Sequence, residues 1–209
     1  MDEITTTTHD GQELWLRGNA VLLRRDPGVA VVGARACTAY GSHVAGQIGS
    51  TLASHDVVTV SSGAFGIDSA AHRGALAAGG ATIVVLACGV DQAYPSAHAQ
   101  LFDTIVDSGG LLVSAYPPGT TPNRQRFLER NGLIAALSRS MVVVEASVRS
   151  GSLSAAQQAW DQGRPVYAVP GPVTSMVSTG TNALIKDGYA MILPDPCDLT
   201  DVIEAGWTS

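Results

Sequence analysis

Uncharged, largely β-branched runs recur along this chain, and most of them pass through a glycine- or serine-rich turn into a stretch of helical period. Residues 29–32, 57–60, 82–86, 111–113, 141–144, 166–169 and 190–193 read as strands. Residues 40–55, 69–78, 97–107, 123–137, 152–162 and 182–187 read as helices, several of them stopped by Gly-Gly or Gly. Strands without charges are buried on both faces, which is the condition of a parallel sheet covered by crossover helices. The expected fold is therefore α/β, a mostly parallel sheet with helices on both faces. Residues 1–13 are polar and Thr-rich and read as a flexible lead, with 14–18 as a short edge strand. Residues 14–209 read as one domain, because no linker divides them.

Composition agrees with a large core. Of 209 residues 45% are hydrophobic and only 14% charged, and 23 are Gly. That is the balance of a buried sheet with many tight turns and excludes a disordered chain. The formal net charge of −6 leaves no general basic footprint, so contact with a phosphate backbone requires a local patch. Three widely separated cysteines, Cys37, Cys88 and Cys197, have neither zinc-ligand nor disulfide spacing, as for reduced thiols of a cytoplasmic protein. The apolar runs are strand-length, so no membrane association is expected. No metal and no cofactor is expected.

Chemistry concentrates where strands end and helices begin, the rim on which open α/β sheets hold ligands. Gly33-Ala34-Arg35 follows the first core strand, with Thr38 placed to cap the next helix or to meet phosphate. Arg35 can grip phosphate with two donors. The G-x-G-x-x-G fingerprint of dinucleotide sites is absent. Ser62-Gly63 and Phe65-Gly66-Ile67-Asp68 form a second loop. There Asp68 either caps the helix carrying His72 or holds the loop through backbone N–H groups. An Asp68/His72 pair for acid–base catalysis is the less favoured reading, since neither a nucleophile elbow nor a third partner accompanies it. Tyr94 is placed to stack on a base or to pin its loop. Arg124, Arg126 and Arg130-Asn131 form the densest basic stretch of a chain with 12 Lys+Arg, and Arg126 and Arg130 share a helix face at i, i+4. Ser150-Gly151-Ser152 and Gly180-Thr181-Asn182 each open a helix with donors suited to an anion.

Taken in order, these segments resemble the DNA-processing protein A (DprA/Smf) family. The resemblance is carried by Gly33-Ala34-Arg35 with Tyr40-Gly41, Ser62-Gly63 with Gly66-Ile67-Asp68 and Ala71-His72, and Gly89 with Asp91 and Tyr94-Pro95. It continues through Tyr116-Pro117-Pro118-Gly119, Phe127 with Arg130-Asn131, Glu145-Ala146, Ser150-Gly151-Ser152-Leu153, Val169-Pro170-Gly171-Pro172 and residues 180–185. It implies an extended Rossmann-like core, without the family's helical N-terminal and winged-helix C-terminal modules. It also implies single-stranded-DNA binding without catalysis, delivery of the strand to a RecA-type recombinase during DNA uptake and recombination, and a homodimer. Phe65 and Gly132 stand where the family carries basic residues, and Arg35 stands alone where it often has two. Loss of cations would weaken backbone contact, leaving a nucleotide-binding or nucleotide-sensing protein of the same fold as the alternative.

Overall fold

A computed structural model describes residues 3–26 and 28–205. Residues 1–2 of the expected lead and 206–209 of the expected domain lie outside them. The described residues form one nine-stranded sheet in the order β1-β2-β6-β5-β4-β3-β7-β8-β9. Its parallel part comprises β3 (Gly28–Val32), β4 (Thr59–Ser62), β5 (Thr82–Leu86), β6 (Leu111–Ser114), β7 (Ser138–Val143), β8 (Val166–Ala168) and β9 (Met191–Ile192). The helices are α1 (Ala39–Ser54), α2 (Ile67–Ala77), α3 (Ala99–Asp107), α4 (Arg124–Ala136), α5 (Gly151–Asp161), α6 (Thr179–Lys186) and α7 (Thr200–Glu204).

The alternation of the strands sorts the helices between the two faces. In β3, Val29 and Val31 pack with Val44, Ile48, Leu52 and Ile67 of α1 and α2, whereas Ala30 and Val32 pack with Leu133, Ile134, Ala155 and Ala159 of α4 and α5. The period of two along a strand is what sends neighbours to opposite layers. The expected α/β architecture, with a mostly parallel sheet and helices on both faces, is the one observed.

The N-terminal reading needs correction. β1 (Ile4–His9) and β2 (Gln12–Gly18) form an antiparallel hairpin that joins the sheet through β6. Residues 4–13 are therefore part of the sheet, and β2 lies inside it with Leu14 and Leu16 in the core. The hairpin turns at Asp10 and Gly11, both at positive φ.

From β3 the chain steps one way through β4, β5 and β6, then returns to the other side of β3 for β7, β8 and β9. The strand order thus reverses beside β3, and the loops after β3, β4 and β7 meet at a single rim.

α1 and α2 approach closely over glycines. A Cβ on Gly49 would lie 2.2 Å from the Ala71 carbonyl oxygen, and one on Gly74 would lie 2.0 Å from that of Gly46. Gly49→Ala gains about 1 kcal/mol of helix propensity but must separate two packed backbones, at about 1–3 kcal/mol. The net expectation is a lower urea midpoint with an unchanged m-value, and a higher midpoint contradicts the close contact.

Candidate nucleic-acid interface

A buried carboxylate organises the rim. Asp68, in the first turn of α2, accepts from the Gly33 backbone N–H at 3.2 Å, from the Ser62 N–H at 3.3 Å and from the Ser62 hydroxyl. Burial pushes its pKa up, against the pull of the Ser62 hydroxyl and the field of Arg130. Of the two roles open to Asp68, it takes that of loop holder. The residue capping α2 is Gly66, with φ +76 and no side-chain cap bond. A Cβ there would lie 2.2 Å from the Ala34 carbonyl oxygen. The Gly33 and Ser62 donors are therefore spent inside the protein and do not face a ligand phosphate.

A second buried carboxylate, Glu145 after β7, accepts from the Thr38 N–H at 2.9 Å and the Thr38 hydroxyl at 2.6 Å. The same hydroxyl oxygen caps α1 by accepting from Gly41 N–H at 3.1 Å. Thr38 is thus a structural cap and not a phosphate donor.

Around these anchors lies a crevice of about 530 Å³, within the range of ligand sites. Arg35, Arg130, Asn131, Ser150, Gly151 and Ser152 line it, and Gly33, Ser62 and Asp68 form its inner wall. Ser150 caps α5, so the first turn of that helix opens on the crevice. Asn131 donates to the Gly151 carbonyl at 3.3 Å and links α4 to the same turn. Arg130 is half-buried, and its Nε is fully enclosed without a hydrogen-bond partner. Burial lowers its pKa to about 10 while Asp68 opposes the shift, so it stays charged at neutral pH.

An adjoining cavity of about 90 Å³ is lined by Gly63, Phe65, Tyr94, Phe127, Arg35 and Arg130 among others. The last two border both compartments. Their guanidinium carbons stand 5.3 Å and 5.7 Å from the Phe127 ring centre, which holds two like charges near one another. Phe65 and Tyr94 are both exposed there, at 45% and 47%. Phe127 was not among the expected site residues, although its spacing of three from Arg130 on one helix was a signal for it.

Other expected residues are elsewhere. Arg126 is held by the Thr121 carbonyl and lies 5.2 Å from the Tyr116 ring centre, and exposed Arg124 lines neither compartment. The basic stretch on α4 is thus not one patch, because only Arg130 turns to the rim. Gly180 is buried against the Ala146 and Ser147 carbonyls, Thr181 donates to Ser178, and Asn182 bonds both backbone groups of Gly171. These three brace neighbouring loops and line neither compartment.

His72 is fully buried, with Nε2 donating to the Ser62 carbonyl at 3.0 Å and Nδ1 2.6 Å from the Thr82 hydroxyl. It is a structural tie between α2, β4 and β5. Burial pushes its pKa down to about 4.

The family model for DNA recombination-mediator protein A matches residues 2–204. The chain belongs to that family. It is 49% identical over 185 residues to a DprA-named protein of Mycobacterium tuberculosis, covering 88% of this chain and 47% of that one. This chain thus spans about half the length of that relative. The X-ray structure of DprA from Streptococcus pneumoniae superposes with a TM-score of 0.83 at 40% identity, over 92% of this chain and 67% of that one. A Helicobacter pylori DprA structure, described for its single-stranded-DNA binding mode, superposes with a TM-score of 0.86 at 28% identity, over 97% and 98%. The family's extended Rossmann-like core is therefore the fold of this chain. Among the described residues no helix is long and apolar enough to cross a membrane.

The neutral burial of His72 sets a pH dependence. Between pH 4 and its ordinary value near 6.5 the unfolded chain binds a proton that the folded ring does not. Stability therefore falls on acidification through that window, by about 3 kcal/mol. In urea titrations the advantage of wild type over His72→Gln should shrink by about that amount from pH 7 to pH 4. An advantage independent of pH contradicts the buried neutral ring.

Proposed function

We propose that the rim binds single-stranded DNA without catalysing a reaction, and that the chain acts in DNA recombination by delivering the strand to a RecA-type recombinase, as a cytoplasmic homodimer. The observation that carries this reading is the convergence of Arg35, Arg130, Asn131 and the start of α5 on one crevice, beside a cavity bordered by Phe65, Tyr94 and Phe127. Cations with helix N–H groups suit a phosphate backbone, and exposed aromatic rings suit unpaired bases. The description of the H. pylori relative as binding single-stranded DNA supports the same assignment. Recombinase delivery and dimerisation rest on membership of the family.

The polar groups of the rim argue for binding over chemistry. Both ring nitrogens of His72 face internal partners, and both oxygens of Asp68 accept loop donors. The Cys88 thiol is buried, and that burial together with Asp91 pushes its pKa up to about 11, far from a nucleophilic thiolate.

The test is fluorescence anisotropy with labelled oligo-dT over a salt series. Arg35→Ala and Arg130→Ala should each weaken binding and reduce the slope of log K against log salt by about 0.7, the share of one single-strand phosphate contact. Arg124→Ala should leave the slope unchanged. Absence of binding at low salt and micromolar protein overturns the reading. A nucleotide that raises the melting temperature in that case points to the nucleotide-binding alternative.

A further inference from the structure

Phe65 leaves 45% of its surface exposed at the tip of a loop that is otherwise buried or half-buried. A free aromatic ring at a loop tip would turn between rotamers, yet this one is braced. The ring of His98 meets it at a centroid distance of 4.5 Å and an interplanar angle of 65°, an edge-type contact. His98 is itself buried, and its Nδ1 lies 2.9 Å from the Gly63 carbonyl. A carbonyl only accepts, so Nδ1 carries the proton and donates. Behind His98 stands Phe102, fully buried in α3, at 6.1 Å between ring centres. Three rings therefore run from the core of α3 to the edge of the aromatic cavity, and the middle one is bolted to the loop that carries the outermost.

We propose that His98 is a positioning residue that fixes Phe65 as a stacking platform for a nucleobase of the bound strand. The proposal rests on the single-stranded-DNA reading and assigns the recognition of bases, as distinct from phosphates, to this loop. Preorganisation is the physical content: a ring already held in place loses little conformational freedom when a base covers it. The platform stands in the same cavity as Arg35 and Arg130, so a strand gripped there brings its bases within reach of Phe65.

The experiment compares binding of oligo-dT with that of an abasic strand of equal length, which keeps the backbone charge and lacks the bases. Stacking of one base is worth about 1–3 kcal/mol, so Phe65→Ala should weaken oligo-dT roughly 5- to 150-fold. The abasic strand and both salt slopes should stay unchanged. His98→Ala should lose a several-fold part of the same preference. Where that variant fails to fold, His98→Asn keeps a donor for the Gly63 carbonyl without the ring, and should show the same loss. Combined with Phe65→Ala, neither His98 change should weaken oligo-dT further, because each acts only through Phe65. Equal weakening of both strands by the His98 variants, an undiminished preference, or an additive double variant overturns the proposal. Equal binding of both strands by the wild-type protein overturns it while leaving the single-stranded-DNA reading intact. Failure of the wild type to bind either strand overturns both.

Discussion

Asp68 is the point on which the rim depends. A carboxylate taken out of water is costly, and the cost is tolerable only when its oxygens are occupied by donors. Here the donors come from the ends of β3 and β4, adjacent parallel strands whose loops would otherwise splay apart. Because Asp68 sits in the first turn of α2, the carboxylate fixes strand ends and helix start as one unit. One turn on, His72 ties the helix to the Ser62 carbonyl and to Thr82 of β5, so three strands are registered against α2 through buried polar groups. The price of such a network is that each member must be satisfied, which leaves it with little freedom to serve chemistry as well.

The same economy explains how an acidic protein presents a basic crevice. Asp68 and Glu145 are buried, facing inward donors, while Arg35 and Arg130 stand outside them around the opening. The negative groups are masked by backbone N–H groups and hydroxyls. The guanidiniums are held by the Phe127 ring, which offers attraction without neutralising charge. The net charge of −6 is a sum over the whole chain and carries no information about this arrangement.

What was legible in the sequence follows from which signals are local. The parallel strands declare themselves because burial on both faces excludes charge. β1 does not, because its Thr-rich run lies at the sheet edge, where no burial imposes a hydrophobic pattern; only the β-branched character of Thr hinted at it. The helix starts at Ser150 and at Gly180 look alike in sequence, both rich in hydroxyls and small residues. One opens on the crevice and the other is packed under the β7–α5 loop, a difference that only the strand order decides. Arg126 and Arg130 share a helical spacing, but Tyr116 and the Thr121 carbonyl draw the first away. The Ser62 loop lies at the rim, and its donors turn inward because their acceptor, Asp68, lies six residues ahead in the same chain.

The two departures from family pattern at positions 65 and 132 are not equivalent. A Cβ on Gly132 would point at the Gln158 side chain of α5, 2.7 Å from its oxygen, and Gln162 already donates to the Gly132 carbonyl. Position 132 lines neither compartment, and a side chain there would first meet Gln158 at the α4–α5 contact. Position 65 is different, because it borders the cavity that Arg35 and Arg130 also line. Replacing a cation by a ring at that point exchanges an interaction screened by salt for one that is not. In the proposed function, two guanidiniums meet phosphates and a braced ring meets a base, and a site so composed depends less on ionic strength than a more basic one and more on the presence of unpaired bases.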